Sequence, residues 1–295
     1  MALRMLVPQD GSAASEGVLP WVARLATALR GEVTLLRVLP LAAEPTGTEP
    51  GETSATDSGV QQARSRLEAL VSDAHLAGTT RTAVERGPVG DVIAACSAEH
   101  DLVVAVGDVR WTAEGSVSGR LLAEVILRST APVLALSSAF GERPGRVPRQ
   151  ILLAVDADGS HVALMPHVAS LARLLQLEVT LFSSVPLGRG RQELTAAAAR
   201  LQALRSDLRH AGVAVRTVSR EGNPGAAIVE YASEKSIDVI AIGAGRSQPA
   251  GRLGAAAEYV LMHSEKPVLA LAARPREPGE GLRETEAPVA RASAA

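Results

Sequence analysis

The feature that most constrains this chain is a series of apolar segments that occurs twice. The pentapeptide Pro-Val-Leu-Ala-Leu at residues 132–136 recurs at residues 267–271. An Asp and a Gly precede each copy in the same order. They are Asp10 and Gly107 in the first half, and Asp156 and Gly243 in the second. A chain of 295 residues is also about twice the usual domain size of roughly 100–200 residues. The sequence therefore predicts two successive domains of one fold.

Within each half, short β-branched runs alternate with longer segments that repeat apolar residues at helical spacing. The predicted strands are residues 3–7, 32–38, 80–85, 102–106 and 133–136 in the first half, and 150–155, 178–183, 213–219, 238–243 and 268–271 in the second. Helices fill the intervals, and those of the first half are predicted at 12–30, 58–77, 89–100 and 116–130. This alternation is typical of a parallel sheet covered by helices.

Composition along the chain sets the predicted boundaries. Residues 1–139 form the first domain, 140–149 are a linker rich in Pro, Gly and Arg, and 150–273 form the second domain. Residues 274–295 contain too few large apolar residues to fold, so we expect a disordered tail. The stretch 40–57 is rich in Pro, Gly, Thr and Glu and predicts a mobile surface loop.

Charge and composition exclude several classes of function. Thirty basic residues against 32 acidic ones give a formal charge of −2, which favours neither nucleic acid nor an anionic membrane as a partner. No apolar signal segment and no run of about 18 uncharged apolar residues is present, so a cytoplasmic protein is expected. The single cysteine, Cys96, excludes an intrachain disulfide, and no histidine or cysteine spacing matches a metal site.

Sequence motifs of common enzyme classes were sought as well. The chain contains no phosphate-binding Gly-x4-Gly-Lys-(Ser/Thr) loop, no Gly-x-Ser-x-Gly elbow and no His-Glu-x-x-His pair. Without a positioned base or nucleophile, we expect a protein that is not an enzyme, with slow ATP hydrolysis as the weaker alternative.

Several short motifs, in the same order in both halves, carry a resemblance to a known family. They include Met-Leu-Val-Pro-Gln-Asp-Gly-Ser at 5–12, Glu-Val-Thr-Leu-Leu-Arg-Val at 32–38, Glu-Arg-Gly-Pro at 85–88, Glu-Gly-Asn-Pro at 221–224, and Ala-Glu pairs at 123–124 and 257–258. Together they resemble the universal stress protein family. The resemblance implies an α/β fold with two tandem Rossmann-like (adenine nucleotide alpha hydrolase-like) domains, each a five-stranded parallel sheet of order 3-2-1-4-5 with helices on both faces.

The resemblance also implies a nucleotide site in the second half. In ATP-binding members an Asp after the first strand contacts adenine, and a Gly-x2-Gly-x9-Gly-(Ser/Thr) loop after the fourth strand holds ribose and phosphates. Glycine suits such a loop because backbone N–H groups can then approach phosphate oxygens. The residues implied here for ATP, with magnesium, are Asp156, Val185, Gly243, Gly245, Arg246, Gly254 and Ala255. The glycine spacings are shorter than in the family, and Ala255 replaces the hydroxyl residue.

The first half departs further from the family pattern. Asp10 and Gly107 match it, but Arg110 stands where the second glycine belongs. Arg120 and Leu121, or Gly119 and Arg120, occupy the Gly-Ser position. We therefore expect a degenerate first site, with a re-looped segment 115–119 as the alternative.

Two hypotheses on function remain open at this point. One is a stress-response module that binds an adenine nucleotide, and the other is a nucleotide-free interaction module. Asp10 and Asp156 also suit turns and helix caps, and Gly243 and Gly245 also suit a tight turn. Family members commonly dimerise through the fifth strand, so the resemblance implies that the two halves pair as an internal pseudo-dimer. A homodimer of two chains is a further alternative.

Overall fold

A computed structural model of the chain describes residues 2–40, 53–76, 80–107, 117–142, 145–245 and 252–272. The predictions for Arg246, for the tail at 274–295 and for most of the loop at 40–57 lie outside the described residues. In the part of the chain that is described, no helix is long and apolar enough to cross a membrane.

Each half alternates strands and helices in the same order. The first half contains β1 (Arg4–Pro8), α1 (Ala13–Gly17), α2 (Leu19–Leu29), β2 (Glu32–Leu39), α3 (Thr53–Asp73), β3 (Thr80–Arg86), α4 (Val89–Ser97), β4 (Leu102–Val106), α5 (Val117–Arg128) and β5 (Val133–Leu136). The second contains β6 (Gln150–Ala154), α6 (Met165–Leu175), β7 (Glu178–Val185), α7 (Gly190–His210), β8 (Ala214–Glu221), α8 (Pro224–Glu234), β9 (Val239–Gly243), α9 (Ala255–His263) and β10 (Val268–Leu271). Within the described residues there are also two 3-10 helices, Ser138–Glu142 and Ser160–Ala163.

The predicted strand order is confirmed in both halves. The strands lie in the order β3-β2-β1-β4-β5 in the first half and β8-β7-β6-β9-β10 in the second, and every neighbouring pair within a half is parallel. Strands β5 and β10 then pair antiparallel, with Leu134 opposite Leu269. The result is one sheet of ten strands.

Two apolar clusters cover the two faces of this sheet. Alternate residues of a strand enter different clusters: Met5 and Val7 of β1 belong to one, and Leu6 between them belongs to the other. Each cluster contains residues from both halves of the chain. Burial of both faces explains why the strands are continuous apolar runs rather than alternating ones.

The helix predicted at 12–30 is wrong in one respect, because it is two helices. Helix α1 ends at Gly17, and α2 begins at Leu19 with Pro20 in its first turn. Proline has no backbone N–H and its ring collides with the carbonyl four residues earlier, so Pro20 is tolerated at a helix start but not inside a helix. The break follows from this proline.

The predicted start of the next helix at Ser58 is also wrong. Helix α3 begins at Thr53, so the last five residues of the predicted loop at 40–57 are helical. Residues 53–58 include four residues of a type that suits a helix cap, so the spacing of Ser58 and Gln61 singled out only one of several candidates in the sequence.

The segment between the halves packs on the first domain. The indole Nε1 of Trp21, a residue that is 1% exposed, donates a hydrogen bond to the carbonyl of Arg146 at 3.2 Å. Its ring meets Phe140 edge-on, with centroids 5.2 Å apart. This part of the linker is therefore fixed by specific contacts.

Candidate functional site

A cavity of about 550 Å³ lies at the carboxyl ends of β6, β7 and β9. Strands β6 and β9 are neighbours although two strands, three α-helices and a 3-10 helix separate them in sequence, so the cavity lies at the point where the strand order reverses. Open α/β sheets bind ligands at this position. Six residues from the sequence analysis line the cavity together: Asp156, Val185, Gly243, Gly245, Gly254 and Ala255.

The side chain of Asp156 is bound to the first residues of the 3-10 helix that follows β6. Its Oδ1 accepts hydrogen bonds from the backbone N–H of Ser160 at 3.0 Å and from Nδ1 of His161 at 2.9 Å, and its Oδ2 accepts one from the hydroxyl of Ser160. Burial alone would raise the pKa of Asp156, but hydrogen bonds to His161, Asp158 and Ser160 hold it well below its usual value. The group is therefore a carboxylate at neutral pH, and its side chain is still 43% exposed.

Gly243 is required for packing between two elements. A Cβ at this position would lie 2.4 Å from the carbonyl oxygen of Ser160, far inside any normal contact. The absence of a side chain allows the turn around Ser160 to lie directly against the end of β9. Gly243 therefore has a structural role that the phosphate-loop pattern does not reveal.

The other two glycines shape the entry into α9. Gly245 has a φ of +100°, a conformation that side-chain-bearing residues rarely adopt. Gly254 is the N-cap of α9, and no side chain in the described part of the chain caps this helix. Its own N–H donates to the carbonyl of Ala244 at 2.8 Å, which closes the loop. The N–H groups of the first helical turn are left without a capping side chain, and such groups attract anions.

The sequence analysis missed two arginines in the cavity wall. Arg189 precedes α7 and lies 3.5 Å from Glu193, while Arg200 projects from α7 itself. The Nε of Arg200 is buried and has no hydrogen-bond partner among the described residues. Glu193, Ala196 and Arg200 recur at helical spacing, so the available signal was one helix face that carries two charged residues and a small one.

A second cavity, of about 460 Å³, occupies the equivalent position in the first half. Asp10 and Gly107 both line it, and so does Leu121. The Oδ1 of Asp10 accepts hydrogen bonds from the N–H of Ser12 at 2.8 Å and the hydroxyl of Ser15 at 2.6 Å. Burial opposes ionisation, but these bonds prevail and the pKa of Asp10 lies below its usual value. The prediction of a degenerate phosphate loop lies only partly within the described residues: Arg110 falls in the range 108–116, which is outside them, whereas Arg120 and Leu121 belong to α5.

The two cavities have different walls. Strand pairing aligns Arg4 with Glu32 and Gln150 with Glu178, which makes Gln9 the counterpart of Val155 and Arg37 the counterpart of Ser183. Arg37 donates from Nη1 to the carbonyl of Gln9 at 3.1 Å. Its guanidinium lies over Gly11, 3.3 Å from where a Cβ would stand. The first half thus has Gln9 and Arg37 where the second half has Val155 and Ser183.

Comparison with known proteins agrees with this architecture. The profile of the Universal stress protein family matches residues 1–137 and 148–272. A universal stress protein from Archaeoglobus fulgidus DSM 4304 has a similar solved structure, with a TM-score of 0.67, 18% sequence identity, and coverage of 91% of this chain and 96% of that one. A protein of Pseudomonas aeruginosa UCBPP-PA14 gives a TM-score of 0.57 at 18% identity and covers 92% of this chain and 93% of its own. No curated protein sequence matches the chain.

The structural neighbours at this identity establish the fold, while the profile covers nearly the whole of both halves. With two matches in succession and the same strand order in each half, this chain belongs to the universal stress protein family and contains two of its domains in tandem.

Proposed function

We propose that this protein is a cytoplasmic stress-response module that binds an adenine nucleotide, such as ATP with magnesium, in its second domain, and that it is not an enzyme. One observation carries the proposal. Six residues that the family resemblance implied, distant in sequence, line one cavity of about 550 Å³ at the reversal point of the sheet. The cavity also lies within the usual size range of small-molecule sites, roughly 300–1,000 Å³.

The wall around Asp156 suits the base. Adenine carries an exocyclic amino group, and an ionised carboxylate is a strong acceptor for its N–H donors. Asp156 is held in place by Ser160 and His161 and remains partly exposed, so it can accept a further bond. Apolar side chains, including Val185 and Ile242, line the same cavity and suit the faces of a purine ring.

The wall around α9 suits the phosphates. The uncapped first turn of α9 offers backbone N–H groups, and Arg200 offers an Nε–H that has no partner among the described residues. Ala255 supplies no hydroxyl, and one missing neutral hydrogen bond costs about 0.5–1.5 kcal/mol. The loss weakens a phosphate contact by roughly one order of magnitude at most, which the guanidinium of Arg200 offsets. Magnesium would arrive with the triphosphate.

Isothermal titration of the nucleotide-stripped protein with MgATP tests the proposal. We expect about one equivalent, with a Kd in the micromolar range, about −8 kcal/mol. Gly254→Glu places a carboxylate at the start of α9 and should abolish the binding. Gly59→Glu is the matched control, because nothing lies within 4 Å of a Cβ at that position in α3. The absence of both heat and a thermal shift at millimolar MgATP would reject the proposal.

A nucleotide-free interaction module remains the second candidate. Asp156 already accepts three intramolecular hydrogen bonds, which favours a purely structural role as a cap. This candidate predicts that neither ATP nor AMP changes the thermal stability of the protein, and that the protein purifies without bound nucleotide. Slow ATPase activity is the weakest reading, and it would require turnover above background that Asp156→Ala removes.

We also propose that the two domains serve each other as partners. The antiparallel contact of β5 with β10, both fully buried, supports an internal pseudo-dimer. Since each of these strands already covers the other's edge, a homodimer of two chains would need another surface. Light scattering after size-exclusion chromatography distinguishes the cases, because a single chain has a mass of 30.5 kDa.

A further inference from the structure

We infer that a single position in the second strand of each half decides which domain accepts a base. Ser183 of β7 leaves room for the base in the second cavity, and its counterpart in β2, Arg37, takes the place of the base in the first. The inference rests on the proposed function, because it concerns the base position of the same site. It names the residue that makes the two domains differ in this respect.

Ser183 lies on the side of the sheet that α7 covers. Val155 and Leu181 belong to the same apolar cluster as Leu201 of α7. Side chains alternate along a strand, so Ser183, two residues after Leu181, points to this side as well. Ala196 of α7 lines the cavity together with Val155 and Ser183. The cavity of the second domain therefore has an arm between the strand ends and α7.

Two polar groups of this arm have no partner within the chain. Ser183 is 2% exposed, and its hydroxyl makes no hydrogen bond within the described residues. The hydroxyl oxygen is not sealed off, since it retains accessible surface. The carbonyl oxygen of Val155 accepts no hydrogen bond from the described residues either. Buried polar groups nearly always have a partner, so these two indicate a ligand with N–H donors, such as the amino group of a base.

In the first half a guanidinium fills the corresponding place. The Nη1 of Arg37 donates to the carbonyl of Gln9 at 3.1 Å, and this carbonyl is the counterpart of the free one in the second half. The same Nη1 lies 3.3 Å from where a Cβ of Gly11 would stand. Gln9 and Gly11 flank Asp10 in sequence. The guanidinium therefore lies beside the aspartate that corresponds to the one proposed to bind adenine.

This guanidinium resembles the part of a base that would otherwise lie there. It is planar and carries N–H donors along its edge, as the amino edge of adenine does. Arg37 thus supplies from within the chain the donor that a base would supply, and its planar group occupies the space that a base would need. No residue of α3 that the structure describes lines the first cavity, so the arm found in the second domain has no counterpart there.

Calorimetric titration of the full chain with adenosine tests the inference. Adenosine carries no phosphate, so the two phosphate loops do not enter the result. We expect one equivalent for the wild type and two for Arg37→Ser, which installs the residue of the second domain. The new site should have a Kd within about tenfold of that of the wild-type site. Arg64→Ser, at an exposed arginine of α3, is the matched control and should leave one equivalent.

The reciprocal change tests the second cavity. Ser183→Arg should weaken adenosine binding at least about a hundredfold. The double variant with Arg37→Ser should again bind one equivalent, now in the first domain. Ser183→Arg places a long side chain at a position that is 2% exposed, so its melting temperature is measured as well. If this variant does not fold, Arg37→Ser decides alone, because it removes atoms from a half-buried site and adds none.

Two results would overturn the inference. One is a wild-type chain that already binds two equivalents of adenosine, and the other is a folded Arg37→Ser variant that binds no more adenosine than the wild type at millimolar concentration. Failure of the proposed function looks different, because the wild type would then bind no adenosine at all. A gain of one equivalent on Arg37→Ser would still support the inference in that case.

Discussion

Replacement of Gly243 by alanine should damage the second domain through packing, whether or not a ligand is present. The added Cβ would lie 2.4 Å from the carbonyl oxygen of Ser160, whereas ordinary contact begins at 3.4 Å. The two backbones would have to separate by about 1 Å. Neither is free to do so, because Gly243 is paired with Leu271 in the sheet and Ser160 is bound to Asp156 by two hydrogen bonds.

The expected loss is therefore that of an overpacked core, roughly 1–3 kcal/mol of unfolding free energy. A shift of the Ser160 turn also moves Asp156, so MgATP affinity should fall in the same variant. Gly59→Ala is the control. It lies inside α3 with open space around a Cβ, and should stabilise the protein by roughly 0.5–1 kcal/mol because alanine favours helices.

Urea unfolding followed by circular dichroism measures both variants. A loss below about 0.5 kcal/mol for Gly243→Ala, no larger than a typical surface substitution, would refute the packing argument. If MgATP binding alone were lost at full stability, Gly243 would instead serve the approach of phosphate. The experiment thus separates two reasons for a glycine at one position.

Three further outcomes are expected. Asp156→Asn should lower the free energy of unfolding by about 1–2 kcal/mol at pH 7, after allowance for the partial exposure of the side chain. Because the pKa of Asp156 is lower in the folded state, this difference in stability from the wild type should shrink as the pH falls below roughly 3.9, the pKa of an unfolded Asp. Urea unfolding of both proteins at pH 7 and pH 3 measures the change. Trp21→Phe removes the bond to Arg146 and should lower the free energy of unfolding by about 0.5–1.5 kcal/mol, measured by urea titration. Arg200→Met keeps the apolar stem of the side chain and should weaken MgATP binding about tenfold in a calorimetric titration, at an unchanged melting temperature. Unaltered MgATP affinity would show that Arg200 is not part of the phosphate site.

The fold was predictable because its signals are local and repeated. Strands β4, β5 and β10 begin and end where the apolar runs do. In these strands both faces are buried, so the whole run is apolar, and each run begins directly after an aspartate or a proline. The helix predicted at 12–30 is divided near Pro20. The sequence pattern does not show that one helix ends before this proline, so the break was not predicted.

The chemistry of the two cavities was only partly predictable. Asp156 and the glycines were found through short family motifs that keep their order along the sequence. The contact of Asp156 with His161 depends on a 3-10 turn, and the orientation of Arg200 depends on how α7 packs on the sheet. Gln9 was missed because a polar residue after a strand usually faces water, and only the tertiary structure shows that it is buried.

The antiparallel seam between β5 and β10 determines where ligands can reach the molecule. All strands of the first half run one way and all strands of the second half run the other way, so their carboxyl ends lie at opposite ends of the sheet. The two cavities consequently open away from each other, and occupants of the two can never touch. Any conformational coupling between the two cavities has to pass along buried strands and across the pairing of β5 with β10, which consists of Val, Leu and Ala residues. The two cavities therefore lie at opposite ends of one continuous sheet.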